Sequence, residues 1–157
     1  MNLKYIIMNK LIVLSFAFLL SSLKAFCQDS NYVLVEGKVK SPSSVTVILK
    51  TFAPKKKDLE KEAKCAALKI VMFDGVEGTI YNRPLLSQGI AALHDNEYFF
   101  DTLFNSNLSD YIKHTKMLSD FKKAEKNEKS TLYSVEVNYI QLKKDLEKNK
   151  ISKQLGL

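Results

Sequence analysis

The sequence predicts an α+β fold, an antiparallel sheet of about four strands in two hairpins, packed by a central apolar helix and a second helix. Three observations predict it. Segments 32–39, 45–52 and 131–139 alternate apolar and polar residues with the period of two that half-buried strands need. After Pro54 comes KKKDLEKEAKCAALKIVMFDGVEG, in which Ala63, Ala66, Ile70 and Phe73 fall within about 40° of Leu59 at 100° per residue, a helical stripe. Phe100, Leu103, Phe104, Leu108, Tyr111 and Ile112 repeat helical spacing further on.

Before these elements, residues 1–27 carry Lys4 and Lys10, then the apolar run LIVLSFAFLL, then SSLKAFC. That order is the pattern of a secretory signal peptide, with cleavage expected between Cys27 and Gln28. The alternative is a lipoprotein signal acylated on Cys27, although Phe26 stands where such signals place a small residue. A retained anchor is disfavoured because Leu11 to Leu20 is short for a span of ~20 residues. Residues 28–157 then form a single α+β domain with one core. Loss of Lys4, Lys10 and Lys24 lowers the formal charge from +7 to +4. The remaining lysines are interleaved with acids, as in DLEKEAK and KKDLEKNK, so no nucleic-acid partner is expected. With Cys27 removed, Cys65 is alone; its helical setting favours a buried, inert thiol.

Taken in order, the first strand places Val33, Val35, Gly37 and Val39 on one side, with Glu36 and Lys38 on the other. Ser41-Pro42-Ser43-Ser44 makes a turn, and the second strand places Val45, Val47 and Leu49 on one face, so the two pair as a hairpin. The central helix has a second apolar line, Cys65, Leu68 and Met72, opposite its first. A helix apolar all round is covered on two sides, here by the sheet and another helix. Asp58, Glu60 and Glu62 offset Lys55, Lys56 and Lys57 at its start. Asp74-Gly75 and Glu77-Gly78 supply a helix cap and a tight reversal; GVEG lacks the offsets of a phosphate loop. Residues 79–96 form an irregular, packed loop. Asp95 or Asn96 caps a second helix running from near Glu97 to Lys113. HTKMLSDFK alternates weakly from His114. It pairs across the solvated turn AEKNEKS with the strongest strand, where Tyr133, Val135, Val137 and Tyr139 oppose Ser134, Glu136 and Asn138. Leu142, Leu146 and Ile151 form a narrow stripe on a charged terminal helix.

No local catalytic spacing is present. His94 and His114 lack the HxxxH or HxH separation of local metal ligands, and no GxSxG surrounds a serine. No catalytic, cofactor or metal residues are assigned. Tyr81, Arg83, Tyr98 and Phe99, with Phe100, are a concentration of the side chains that anchor interfaces. The competing reading of these residues is core packing of the loop.

A strand with VEGKV, a helix carrying Ala63, Ala66 and Ala67 as AxxAA, then LSDFKK and YSVEVNYI resemble the small domain of LPP-type lipoproteins. They are also similar to the N-terminal domain of flagellar assembly protein T. The likeness covers about residues 33 to 140. It implies an exported domain of the bacterial envelope used for assembly or interaction, with no assigned catalytic site. This chain departs from the pattern at Cys27, which lacks a good lipobox, and at GTIYNRPLLSQG, which has no counterpart. The expected function is therefore an exported, non-catalytic binding or assembly module in the periplasm or envelope, with an envelope protein as partner. Membrane contact is expected only through the signal peptide or lipidation at Cys27. The alternative is a small hydrolase with a site built from the 79–96 loop. A deep pocket joining His94 or His114 to two acids favours the enzyme; an exposed sheet edge favours the module.

Overall fold

A computed structural model describes residues 32–89, 91–124 and 128–152. The expected signal peptide lies outside them. Strands β1 (Tyr32–Ser41), β2 (Ser44–Ala53), β3 (Ile112–Met117), β4 (Lys122–Lys123) and β5 (Lys129–Val137) form one antiparallel sheet. Its order is β1-β2-β5-β3, with β4 also paired to β5. The fold is α+β, as expected. Both expected hairpins form, and they are joined edge to edge, with Val45 opposite Val137 and Leu49 opposite Tyr133.

Alternation decides which face is buried. Val45, Val47 and Leu49 of β2 and Val135 and Val137 of β5 are fully buried, and together they floor the core. Helix α1 (Leu59–Lys69) lies on that floor, preceded by a tight 3₁₀ turn at Lys56–Asp58. Leu59, Ala63 and Ala66 are fully buried, as are Cys65, Ala67 and Leu68, so the C-terminal half of the helix is covered on two sides while Glu60 and Lys61 in its first turn stay exposed. Alanines at 63, 66 and 67 keep its backbone close to the sheet. The helix ends in a widened π turn, Ile70–Asp74, where the Gly75 N–H donates to the Ile70 carbonyl at 2.7 Å. Gly75, at φ 80°, reverses the chain. The carbonyls of Val71 and Met72, orphaned at the helix end, accept from the N–H groups of Leu85 and Leu86.

The second cover comes from the segment that follows: α2 (Ala91–Asp95) and α3 (Glu97–Asn105). Phe100 is fully buried with its ring centroid 6.2 Å from that of Phe73, and the Lys69 ammonium stands 5.9 Å from the Phe104 ring. Helix α4 (Tyr139–Lys148) closes the far end through fully buried Leu142 and Leu146, with Ile151 behind them. Asn138 caps it by accepting from the Gln141 N–H. Tyr111 donates to Asp145 at 3.0 Å; burial and then that carboxylate push its phenol up to about 12.

Three expectations are corrected. The second helix does not reach Lys113: it stops at Asn105, a short 3₁₀ turn occupies Leu108–Tyr111, and Ile112 already belongs to β3. Asn105-Ser106-Asn107 terminates it, because short polar side chains compete for the backbone. The irregular loop contains the short helix α2. The valines of β1 do not share one face. Val33 and Val35 are 55% and 57% exposed, whereas Tyr32 and Leu34 pack on the core. A bulge between Leu34 and Glu36 breaks the alternation, so that Gly37 and Val39 sit opposite Val47 and Val45 on the core face, and β1 is the edge strand of the sheet.

Candidate functional site

The reversal after α1 is laid along the core side of β1. At one end of the strand, the Tyr32 hydroxyl lies 3.4 Å from Asp74 Oδ2, and burial followed by the Asp74 charge raises its pKa. In the middle, Val76, Thr79 and the Glu77 carbonyl crowd Gly37, leaving no room for a side chain there. At the other end, Tyr81 donates to the Pro42 carbonyl at 2.6 Å. The reversal closes on itself through the Val76 N–H and the Tyr81 carbonyl, 2.7 Å apart. Thr79 reinforces it by donating from its hydroxyl to the Val76 carbonyl and accepting from the Tyr81 N–H. Ile80, at the tip of this braced loop, is 76% exposed.

The four sequence-predicted interaction residues divide accordingly. Tyr81 belongs to the loop and is half-buried, its ring stacked on Tyr139 with centroids 4.1 Å apart. Arg83 follows it on the surface, exposed. Tyr98, on α3, is 87% exposed, while its neighbour Phe99 turns inward to pack edge-on against Phe100 at 5.2 Å. Tyr81 and Phe99 therefore serve packing in separate aromatic pairs, and Tyr98 and Arg83 are presented to solvent. The residues that sequence reasoning missed are on β1. Val33, Val35 and Val39, the last 41% exposed, lie on the edge strand but not on one face: Val33, opposite Lys50, is on the outer face, and Val39, opposite buried Val45, is on the core face along which the 74–81 reversal runs. Their alternation was visible, but an exposed edge and a buried strand share that signal.

Neither histidine lines the groove beside β3. His94 is exposed at the end of α2; His114, also exposed, faces Glu136 across the β3–β5 ladder, and Glu136 accepts from the Ser44 hydroxyl at 2.9 Å. Among the described residues no group of three or more His, Cys, Asp or Glu could hold a metal ion, and no helix is long and apolar enough to cross a membrane.

A groove of about 550 Å³ opens on the other half of the sheet, between the start of α1 and strands β3 and β5. Lys56, Lys57 and Glu60 form one wall. Thr115, Met117, Phe121 and Tyr133 form the other. The Tyr133 phenol is raised by burial and then by the Glu60 charge. No family model, curated protein or solved structure matches this chain.

Proposed function

We infer that this chain is an exported, non-catalytic binding or assembly module of the bacterial envelope, delivered by a signal peptide over residues 1–27 and working through the β1 edge. The observation that supports this reading is the set of uncovered apolar side chains on an edge strand, Val33 and Val35 at one end and Val39 at the other, with exposed Ile80 on the reversal packed along the core side of that strand. Burying each such side chain against a partner is worth on the order of 1–2 kcal/mol, and a free edge also offers unpaired backbone groups to an added strand. The 74–81 reversal braces that strand at three points from the core side, so the surface is preorganised and loses little entropy on binding. Arg83 and Tyr98 are the polar and aromatic anchors available beyond the edge.

The test compares recovery of envelope proteins by the wild-type domain and by a Val33→Lys/Val35→Lys variant. Both side chains are solvent-facing, so the thermal midpoint should stay within about 2 °C of wild type while a recovered partner is lost. An identical set of recovered proteins from a folded variant overturns the edge as the binding surface.

A further inference from the structure

The groove on the β3 side divides its walls by chemistry. Met117, Phe121 and Tyr133 supply an apolar floor. Lys56 and Lys57 stand at the rim, and the Lys56 ammonium is held 3.9 Å from the centroid of the Phe121 ring by the negative face of that ring. Glu60 is the acid of the lining, but it is paired with Lys64 at 2.7 Å, so the rim remains net positive. Phe121 runs directly into β4, where Lys123 faces Lys129 across the ladder, a like-charge pair that adds to the positive field and that an anion would relieve.

The volume lies inside the about 300–1,000 Å³ range of small-molecule sites.

We propose that this groove binds a small amphiphilic anion, a carboxylate or phosphate monoester carried on an apolar body. Lys56 and Lys57 take the head, and Met117, Phe121 and Tyr133 take the body. The site is independent of the β1 edge, which lies at the opposite side of the sheet.

Isothermal titration of the purified protein at low salt tests it with four probes: dodecanoate, dodecyl phosphate, dodecanol and inorganic phosphate, all below micelle-forming concentrations. Saturable one-to-one binding is expected for one or both amphiphilic anions, which also identifies the preferred head. Dodecanol should bind about tenfold or more weakly, since it forfeits the charge-assisted hydrogen bonds, and inorganic phosphate should not saturate. Lys56→Gln/Lys57→Gln should weaken the anions about tenfold and leave dodecanol unchanged, and Lys56→Arg should retain binding. Dodecanol binding as tightly as dodecanoate overturns the proposal. So do an unaffected double glutamine variant, binding of inorganic phosphate alone, and no binding by either anion.

Discussion

Replacing Gly37 with alanine challenges the seating of the 74–81 reversal on β1. A Cβ at this position would overlap Val76 Cγ1, approach Thr79 Cγ2 to 3.2 Å and approach the Glu77 carbonyl oxygen to 3.3 Å. Val76 is fully buried and β-branched, with little rotamer freedom to move aside, and the Glu77 contact is backbone. Overpacking of this kind costs about 1–3 kcal/mol. Against it, Gly37 is not among the positive-φ glycines, so alanine fits the backbone and removes unfolded-state freedom worth about 0.4–1 kcal/mol. The steric term is larger, and a net loss of about 1–2 kcal/mol follows from the two magnitudes. With a urea slope near ~1.5 kcal/mol/M, the midpoint should fall by about 1 M. Urea unfolding followed by far-ultraviolet circular dichroism measures it, and Gly37→Ala/Val76→Ala completes a cycle in which the smaller partner makes room. The double variant should lose less than the sum of the singles by about 1 kcal/mol. A Gly37→Ala protein with an unshifted or raised midpoint, or a strictly additive cycle, refutes the close seating.

Ala66→Leu adds three heavy atoms to the fully buried face of α1 and should destabilise by about 1–3 kcal/mol. Lys64→Ala, which loses the partly exposed i,i+4 pair with Glu60, should cost about 0.3–0.5 kcal/mol in the same melts. The folded-state pKa of Tyr111 lies above its ordinary 10.0, at about 12, so its contribution is complete below pH 10 and is lost as pH rises from 10 to about 12. Urea midpoints across that window should therefore decline, and Tyr111→Phe should flatten the decline; parallel pH profiles would remove Tyr111 as the cause. N-terminal sequencing of the exported protein should begin at Gln28, and an intact Met1 or an acylated Cys27 would overturn the expected cut.

Strands β2 and β5 and helix α1 were legible because packing on one face imposes a period, and Val45, Val47, Leu49, Val135 and Val137 keep theirs without interruption. β1 was legible as a strand but not as an edge. Its valines mark a period of two, and only the strand order and the bulge between Leu34 and Glu36 decide which side chains meet the core. The end of α3 was misplaced because Leu108, Tyr111 and Ile112 continue to be buried or half-buried after the helix has stopped, so apolar spacing outlasted the helical backbone. Tyr81 and Phe99 were singled out for a composition shared by interfaces and cores, and their rings went to the core. The groove was invisible because Lys56 and Thr115 come from distant parts of the chain, and no local period joins a helix start to a strand brought beside it.

The sheet order has a consequence for how the domain is reached from the unfolded chain. Ser44 bonds Glu136 across 92 residues, and β5, the last strand made, sits between the first hairpin and β3. Until β5 arrives, β2 has one unpaired side, β3 has no neighbour, and α1 has half its floor. Closing so long a loop makes the folding transition slow and places it after nearly the whole chain is available, rather than during stepwise emergence from the N-terminus. A chain ending before Lys129 would retain the β1–β2 hairpin pattern but no place to bury it, and would be a substrate for proteases rather than a smaller domain.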